Sequence, residues 1–364
     1  MASKSLHPIP FDSFTDPEAR LRRRSTDLLV HPDQMQNLRL RTAVIKALRA
    51  RLDAEGFLEV ETPILHTVHG GASAHPFRTY INAYGEDLTL RIAPELYLKR
   101  LVVGGSGPVY ELGRDFRNEG ADATHNPEFT VLEAYRPYAD YVQMRELTER
   151  LIKDAAQAVF GSVSLPLGRK ASSERVVRDV SGPWRVVSVC DALSEALGRR
   201  VDVQTDFEEL LALAQQHGVR VHEGMGPGAI VEELYGELVE VHTVEPTFYT
   251  DFPAETSPLA APHRSVPGLA ERWDLVINGM EMGCAYSELA DPLVQRERLT
   301  EQSLKAASGD LEAMEVDEDF LYALETGMPP TGGLGLGVDR LVMLLAQTQI
   351  RGVLSFPFVK PERS

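Results

Sequence analysis

Apolar residues near the start of the chain recur at the spacing of one face of an α-helix. The pattern begins at Asp33 and stops at Gly56, a residue type that readily ends helices in the left-handed conformation. It therefore predicts one long helix. Residues 57–63 follow as a strand that ends at a proline. The apolar positions of the helix are Leu38, Val44, Ile45, Leu48 and Leu52.

The same patterns predict further elements along the chain. A strand is expected over 88–92, a helix with proline in its first turn over 94–103, and another helix over 140–159. Residues 162–240 mix short apolar runs, Glu/Leu-rich helical stretches and a glycine-rich break, which favours an insertion. The remainder returns to strands and a last helix. Residues 1–19, with three prolines and little periodicity, predict a loose lead-in.

Composition limits the classes of function. A chain of 364 residues, 43% of them hydrophobic, can bury a sizeable core in one large domain or two smaller ones. No apolar run approaches the ~20 residues that a membrane-spanning helix needs, and the N-terminus lacks the pattern of a signal peptide. We therefore expect a cytoplasmic protein without a membrane partner.

Charge and cysteine content exclude two kinds of site. The formal net charge of −17 argues against a broad, non-specific grip on nucleic acid, which depends on many Lys and Arg contacts to phosphates. The one dense basic run, residues 20–24, is explained equally by a solvated loop, a dimer contact or an RNA contact. Cys190 and Cys284 supply neither a disulfide framework nor the usual four zinc ligands, and Cys190 is expected to be a small reduced hydrophobe.

The run GRDFRNEG followed by THNPEFT concentrates groups suited to ATP. Arg117 is a planar fork of donors that can bridge a phosphate oxygen and a carboxylate. Glu119 can accept from an adenine amino group, His125 can reach a terminal phosphate, and Phe129 offers a face on which a purine can stack. An isolated Arg-x-x-Glu is more often a surface ion pair. The longer string favours an ATP site.

A second run, GLGLGVDRL, places glycine at every second position before an arginine. Gly333, Gly335 and Gly337 lack Cβ atoms, so their backbone can pass close under a ligand. A lone Gly-x-Gly-x-Gly more often marks a turn or a bulge. Arg340 strengthens the functional interpretation, because a cation there can neutralise a γ-phosphate.

Together these runs resemble motifs 2 and 3 of the class II aminoacyl-tRNA synthetases, and more narrowly those of lysyl-tRNA synthetases. Residues 57–63 look like motif 1, which builds the dimer interface in that family. The resemblance implies an α+β fold, an antiparallel sheet flanked by helices, over residues 20–361. It also implies a homodimer, although packing within the subunit would explain the preceding apolar helix face equally well.

Two carboxylates and two tyrosines suggest a pocket for a long cationic side chain. Glu133 and Tyr135 are two residues apart, so on a strand they face the same side, and Tyr286 and Glu288 repeat that spacing. A buried ammonium needs carboxylates or hydroxyls in place of the lost water. Either pair alone fits a water-facing strand better, but the resemblance favours lysine, whose ε-ammonium the matching family residues surround.

The resemblance also assigns individual roles. Glu95 would hold the substrate α-ammonium, Gly71 would offer its carbonyl from a closing loop, and Asp274 and Glu281 would hold Mg²⁺. Arg117 and Arg340 would be the catalytic residues. The expected ATP site comprises Arg117, Glu119, His125, Asn126, Phe129, Glu281 and Arg340. The expected amino-acid site comprises Gly71, Glu95, Arg117, Glu133, Tyr135, Cys284, Tyr286, Glu288 and Gly335.

Three positions bear on how closely the chain follows the family. Cys284 stands where typical lysyl-tRNA synthetases have asparagine, which replaces a strong donor with a weak one. Asp274 stands where glutamate is usual, which shortens a metal ligand by one methylene. Gly335 differs from the alanine of elongation factor P lysyltransferases, whose methyl group reshapes the site towards β-lysine. The glycine therefore favours an ordinary α-amino acid.

The implied function is ATP-dependent formation of lysyl-adenylate, followed by transfer to a tRNA, a protein or a small molecule. The chain is also similar to the synthetase portion of actinobacterial lysyl-phosphatidylglycerol synthases, without their membrane part. Because the resemblance begins near residue 19, we expect no anticodon-binding barrel. The alternative is a regulatory paralogue that binds lysine or a synthetase partner without catalysis. Retention of the ATP and metal residues favours the enzyme, and amino-acid-dependent ATP consumption would separate the two.

Overall fold

The computed structural model describes residues 9–11, 13–168, 176–222, 224–307 and 313–361. Part of the expected lead-in, residues 1–8 and residue 12, lies outside the described residues. The lead-in is shorter than expected, because helix α1 already begins at Pro17, where Asp16 caps it by accepting from the backbone N–H of Ala19.

The helices alternate with strands along most of the chain. Their bounds are α1 Pro17–Arg22, α2 Arg24–Val30, α3 Pro32–Ala54, α4 Glu95–Val103, α5 Tyr141–Phe160, α6 Val189–Leu197, α7 Phe207–His217, α8 Pro227–Leu238, α9 Pro292–Ala307, α10 Glu318–Gly327, α11 Val338–Ala346 and α12 Ile350–Val353. Short 3₁₀ turns lie at Glu240–His242 and Ala254–Thr256. Among these described helices, none has both the length and the apolar character needed to cross a bilayer.

The strands form one large sheet and two small ones. Their bounds are β1 Leu58–Glu59, β2 Leu65–His66, β3 Arg78–Ile81, β4 Glu86–Leu90, β5 Val109–Phe116, β6 Glu128–Pro137, β7 Ser164–Leu167, β8 Val176–Asp179, β9 Arg185–Ser188, β10 Thr247–Thr250, β11 Arg272–Ile277, β12 Met280–Ser287 and β13 Thr331–Gly337.

The large sheet has the order β1–β5–β6–β13–β12–β11–β10–β9. Its six central strands, from β5 to β10, are antiparallel, as expected. Both edges differ from the prediction: β1 pairs parallel to β5, and β9 pairs parallel to β10. The sheet is therefore mixed, and residues 162–240 contribute one of its edge strands as well as α6, α7 and α8. The assignment of that stretch as an insertion stays a prediction.

The predicted long helices are confirmed, and their ends show why. Helix α3 buries Val44, Leu48 and Leu52, and the chain then turns at Gly56 with φ +80°. Helix α5 starts at a capping box in which the Asp140 carboxylate accepts from backbone N–H groups. The two helices pack against each other and, with α11, against one face of the large sheet.

The strand predicted over 57–63 pairs for only two residues. Leu58 and Glu59 lie opposite Val109 and Tyr110 in β5. The Val60 N–H still donates to the Tyr110 carbonyl at 2.9 Å. At Thr62, the Glu111 carboxylate instead accepts from the backbone N–H and the hydroxyl, at 3.0 and 2.6 Å. The segment is extended, but a side chain replaces the neighbouring strand as its partner.

The basic run over 20–24 serves a purpose that the sequence did not indicate. Arg20 and the buried Arg24 both pair with Asp27, and Arg24 also donates to the carbonyl of Leu354. Arg22 donates to the carbonyl of Lys360. These arginines join the N-terminal helices to the C-terminal segment within one subunit.

Candidate active site

A cavity of about 440 Å³ lies over the centre of the large sheet, on the face opposite α3, α5 and α11. Its floor is β13, where Gly333, Gly335 and Gly337 present no side chains to this face. In register, Gly335 lies between Glu133 of β6 and Cys284 of β12. The alternating glycines therefore make a trough whose walls are the side chains of the two neighbouring strands.

The glycines of β13 have different constraints. A Cβ at Gly333 would collide with the Glu288 carboxylate and approach Cε1 of Tyr135 to 2.7 Å. A Cβ at Gly335 would have no atom within 4 Å. Gly333 is thus needed for the packing of the wall, whereas Gly335 keeps part of the trough open.

The predicted pair Glu133 and Tyr135 does face one side of the trough, with Tyr286 on the opposite wall. The Tyr135 hydroxyl donates to the Glu133 carboxylate at 3.0 Å. Burial raises the pKa of Glu133 well above its usual range, and the charges of Asp115 and Glu95 raise it further. Burial therefore favours the protonated form of this carboxyl group over the charged form.

A buried lysine that the sequence did not single out joins the next two carboxylates. The Lys99 ammonium lies 2.6 Å from a Glu95 oxygen and 2.5 Å from a Glu288 oxygen, and its side chain is 0% exposed. Burial alone would lower the pKa of Lys99, but the two carboxylates outweigh it and raise that pKa. Burial also raises the pKa of Glu288, to about 8, against the opposing effect of Lys99.

The sequence indicates one of these two contacts of Lys99. Glu95 and Lys99 are four residues apart on α4, a spacing that brings side chains together on a helix. Such pairs are common on solvated helix faces, however, and nothing local indicates that Glu288 approaches from the other end of the domain.

The loop with Gly71 packs closely against the start of α4. Gly71 has φ +89°, a conformation that favours glycine, and a Cβ there would lie 3.2 Å from the Cβ atoms of Ala93 and Glu95. This close approach places the loop beside the start of α4, next to Glu95.

Cys284 occupies the wall at the level of Gly335, with its sulfur 3.5 Å from the Tyr286 hydroxyl. Burial raises the pKa of the Cys284 thiol, and the nearby carboxylates of Glu281 and Asp274 raise it further. The thiol is therefore protonated and unreactive at neutral pH, a small apolar wall group with a weak donor.

Arg117 marks the other end of the cavity. Its guanidinium lies 5.2 Å from the centre of the Phe129 ring and covers one face of it. The Nε atom of Arg117 is buried and has no hydrogen-bond partner among the described residues. A buried unpaired donor is destabilising by about 1–3 kcal/mol, so this arrangement suits an anionic ligand.

His125 and Arg340 meet at the mouth of the cavity. Their Nε2 and Nη2 atoms are 3.5 Å apart, and the other ring nitrogen of His125 lies 2.9 Å from Asp122. Arg340 also donates to the carbonyl of Glu281 at 2.8 Å. The structure thus brings together three groups that the sequence assigned to ATP, and Glu119 lines the same cavity.

Asn126 has a different role in this structure. Its side-chain amide donates to the carbonyl of Glu128 and accepts from the backbone N–H of Phe358, at 2.6 and 3.1 Å. Asn126 therefore ties the loop between β5 and β6 to the C-terminal segment. Its assignment to ATP stays a prediction.

Asp339, which the sequence left without a role, positions the helix that carries Arg340. Its carboxylate accepts from the backbone N–H of Thr130 at 2.8 Å and pairs with Arg41 of α3. The buried carboxylate fixes α11 against β6. Only the adjacent position of Asp339 and Arg340 hinted at this in the sequence.

The two predicted magnesium ligands are placed differently from each other. Glu281 lines the cavity with its side chain 39% exposed. Asp274 is buried in a two-pronged pair with Arg272, at 3.0 and 2.9 Å, and burial raises its pKa to about 7. In the described part of the chain, no group of three or more His, Cys, Asp or Glu is arranged to hold a metal ion. The magnesium assignment stays a prediction.

The whole chain matches known proteins. The family model described as tRNA synthetases class II (D, K and N) matches residues 16–360. Lysylphosphatidylglycerol biosynthesis bifunctional proteins LysX from Nocardia farcinica and Mycolicibacterium gilvum are each 55% identical over 99% of this chain. The LysX protein of Gordonia bronchialis is 54% identical over 98% of it.

This chain spans about a third of the length of those relatives: 32% of the Nocardia and Gordonia proteins and 33% of the Mycolicibacterium protein. The match over residues 16–360 and the sheet with its three motifs confirm the fold and the resemblance expected from the sequence. The chain therefore belongs to the class II tRNA synthetases of the D, K and N group.

Proposed function

We propose that this chain activates lysine, or a close analogue, with ATP to an aminoacyl-adenylate and passes the lysyl group to an acceptor. The observation that carries this proposal is the set of buried carboxylates Glu95, Glu133 and Glu288 at one end of a cavity that has Arg117 at the other. The family is defined by tRNA synthetases, and the names of the most similar proteins reported above refer to a lysylated product.

Lysine recognition follows from charge. The Glu95 carboxylate and the Gly71 carbonyl would hold the α-ammonium, while Glu133, Glu288 and the two tyrosines would surround the ε-ammonium. Burying an ammonium without such partners is strongly unfavourable, and burying these carboxylates without an ammonium is unfavourable too. A neutral amino acid of the same length would leave the carboxylates unpaired and would bind weakly.

The first step would be an in-line displacement at phosphorus. A lysine carboxylate oxygen attacks the α-phosphorus of ATP, a bond forms between them, and the bond from that phosphorus to the bridging oxygen breaks. Pyrophosphate leaves with the electron pair, and no proton is transferred. Positioning and charge stabilisation are what such a reaction requires of a protein.

Each nucleotide-binding residue has a defined task in this scheme. Arg117, whose buried Nε has no partner among the described residues, would bridge the lysine carboxylate and the α-phosphate. Arg340 and His125 would receive the terminal phosphates. Phe129 would stack on the purine with the face that Arg117 leaves free, and Glu119 would accept from its amino group.

Mg²⁺ fits part of the site. Glu281 is exposed to the cavity and could ligate an ion together with phosphate oxygens, which is a usual magnesium environment. Asp274 could join it only after releasing Arg272. When bound, the ion would neutralise phosphate charge.

The acceptor that the family favours is a tRNA. An RNA hydroxyl would attack the carbonyl carbon of lysyl-adenylate, an ester bond would form, AMP would leave, and the hydroxyl proton would pass to solvent. Because LysX proteins are named for lysylphosphatidylglycerol biosynthesis, we infer that the lysyl group is ultimately destined for a lipid. Radioactive lysine offered with ATP and either tRNA or phosphatidylglycerol vesicles would show which of them becomes labelled.

We also propose a homodimer. Large apolar side chains are exposed in the segment that resembles motif 1 and directly after it: Leu58 is 55% exposed, Ile64 45% and Leu65 49%. A second copy of the chain would cover them. Sedimentation of the wild type and of Leu58→Asp should show a dimer that the charge weakens, whereas monomers for both would reject this assignment.

Amino-acid-dependent ATP–pyrophosphate exchange tests the proposed activity. It should be measured with the standard amino acids and with lysine analogues, using Arg117→Ala as the inactive variant and Arg114→Ala, an exposed neighbour on β5, as the control. We expect exchange with L-lysine that only Arg117→Ala abolishes. If no amino acid supports exchange, the enzyme proposal is wrong and a regulatory, lysine-binding role gains support.

A further inference from the structure

Lys99 is a fully buried cation at the amino-acid end of the cavity, yet the proposed chemistry gives it no task. It is not among the cavity-lining residues, but it contacts Glu95 and Glu288, which are. On its other side the ring of Phe320 from α10 lies with its centre 5.9 Å from the ammonium. Lys99 therefore acts on the pocket through those two carboxylates.

The other cations buried near this end contact different carboxylates. Arg91 contacts Glu111 and Asp115 of β5. Arg272 contacts Asp274 and Glu232. Among the described residues, Lys99 is therefore the cation that directly contacts Glu95 and Glu288.

The balance of charge favours a cationic ligand. Three inner carboxylates, those of Glu95, Glu133 and Glu288, surround one ammonium, that of Lys99, and Asp115 lines the same cavity. The tyrosines on the walls add no charge, because burial raises the pKa of both Tyr135 and Tyr286. Uncompensated charge in a buried site is strongly unfavourable, so an ionised pocket favours a ligand that brings positive charge.

We propose that Lys99 is a positioning residue that holds the carboxylates of Glu95 and Glu288 where the two ammonium groups of the substrate would meet them. This inference rests on the proposed function, since it concerns the same site, and it adds a residue that acts on the substrate through those two carboxylates. The substrate carboxylate is balanced separately by Arg117.

Removing the Lys99 charge should weaken lysine use and move its pH dependence to higher pH. In the wild type, protons on the carboxylates of the free pocket compete with lysine, so kcat/KM for lysine rises with pH. Burial raises the pKa of Glu95 and of Glu288, and the Lys99 ammonium opposes that rise. In Lys99→Met these carboxyl groups hold their protons more strongly, so the rise in kcat/KM should occur at higher pH. The charged groups facing Lys99 in this argument are Glu95 and Glu288, with Glu133 beyond them.

The experiment compares the full chain with Lys99→Met and Lys99→Arg in lysine-dependent pyrophosphate exchange from pH 6 to 9. Each is measured with and without methylammonium chloride, against sodium chloride at equal ionic strength. We expect Lys99→Met to lower kcat/KM for lysine by about 100-fold, as loss of one partner of a buried charge pair does, with KM for ATP unchanged. Methylammonium should raise kcat/KM of Lys99→Met for lysine by at least about tenfold. Lys99→Arg should retain the wild-type dependence of kcat/KM on pH. Lys305→Met, exposed on α9, is the matched control.

Two results would overturn the inference. One is a Lys99→Met variant with wild-type kcat/KM and pH slope. The other is a variant that loses activity towards lysine and ATP alike without rescue by methylammonium, which would show a purely structural role. If Lys99→Met does not fold, Lys99→Arg decides. Because its longer side chain shifts Glu95 and Glu288, KM for L-lysine should rise while KM for ATP keeps the wild-type value, and wild-type KM values for both substrates would reject the positioning role.

The outcome is distinguishable from failure of the proposed function. If the wild type shows no exchange but binds lysine in a manner that depends on Lys99 in calorimetry, activation is wrong and the inference stands. If the wild type exchanges with lysine and Lys99→Met matches it at every pH, only the inference is wrong.

Discussion

The two ends of the cavity satisfy their polar groups in opposite ways. At the amino-acid end, each of three carboxylates contacts a polar group of the protein: Lys99 joins Glu95 to Glu288, and Tyr135 donates to Glu133. At the nucleotide end, the buried Nε of Arg117 has no partner in the described part of the chain.

The difference also appears in the elements that carry the groups. The amino-acid end is built on the centre of the sheet and on α4, where neighbouring strands fix each side chain. The nucleotide end depends on the loop between β5 and β6, where His125 and Asn126 are partly exposed. Under the proposed function, the amino-acid end would be formed before any ligand arrives, whereas the phosphates of ATP would complete the nucleotide end. A rigid, paired site favours selectivity and an unpaired donor favours charge stabilisation.

Loss of Arg117 should separate the two ends most strongly. Arg117→Ala is expected to lower kcat/KM for exchange by about 100- to 1,000-fold, because it removes a donor aimed at developing charge. Calorimetry should show a much smaller fall in lysine affinity, because Glu95, Glu133 and Glu288 would still hold the two ammonium groups. The matched control is Arg114→Ala, which breaks only an exposed pair with Glu128. If lysine affinity fell as much as exchange, the two ends would not be independent.

Neutralising Glu288 should have the converse effect. Glu288→Gln removes a carboxylate that pairs with Lys99 and would face the ε-ammonium, so kcat/KM for lysine should fall by about 100-fold. The affinity of this variant for ATP, measured by titration, should equal that of the wild type. Glu297→Gln, exposed on α9, serves as the control. An equal effect on ATP binding would contradict the separation.

The glycines of β13 permit a finer test of the trough. Gly335→Ala adds a methyl group in open space, so the protein should melt at the wild-type temperature while KM for L-lysine rises about tenfold. Exchange with β-lysine should rise relative to L-lysine. Gly333→Ala should instead lower the melting temperature, because its Cβ would collide with the Glu288 carboxylate. Equal melting temperatures for the two variants would argue against this geometry.

The smallest expected effect is on the pH dependence of lysine binding. Burial raises the pKa of Glu133 and that of Glu288, the latter to about 8, so protons compete with the substrate ammonium groups at low pH. Lysine affinity should therefore rise several-fold between pH 6 and 8, with release of protons that calorimetry in buffers of different ionisation enthalpy can count. Glu133→Gln should release fewer protons. Proton uptake by the wild type would contradict the direction of these pKa shifts.

The sequence predicts features that depend on neighbouring residues and misses contacts between residues that are distant along the chain. The alternation that placed Glu133 with Tyr135 is local, as is the glycine spacing of β13, so both were predictable and the structure brings them together. The partners of these groups are not local. Lys99 reaches Glu288 from 189 positions earlier, and Arg41 reaches Asp339 across 298 positions. Pairings of that kind depend on the packed fold, which a single sequence does not display.

The edges of the sheet show a second reason. The paired part of β1 is only two residues long, and residues 162–240 supply β9, so neither edge has enough alternating pattern to reveal its direction. The pairing of Asp274 with Arg272 was equally hidden, although the two lie close in sequence on β11. A residue two positions away on the same face of a strand can form an ion pair with a carboxylate or can leave that carboxylate free to bind a metal ion. Only the geometry distinguishes the two cases.

Direct detection of the adenylate would test the central claim most sharply. The chain, in excess over ATP labelled at the α-phosphate, is mixed with L-lysine, L-norleucine or no amino acid, and the products are resolved after acid quench. We predict labelled lysyl-adenylate in an amount close to that of active sites with L-lysine, and none in the other two reactions. Labelled ATP that remains intact with lysine, or an adenylate that forms equally with norleucine, would contradict the assignment of this cavity to lysine activation.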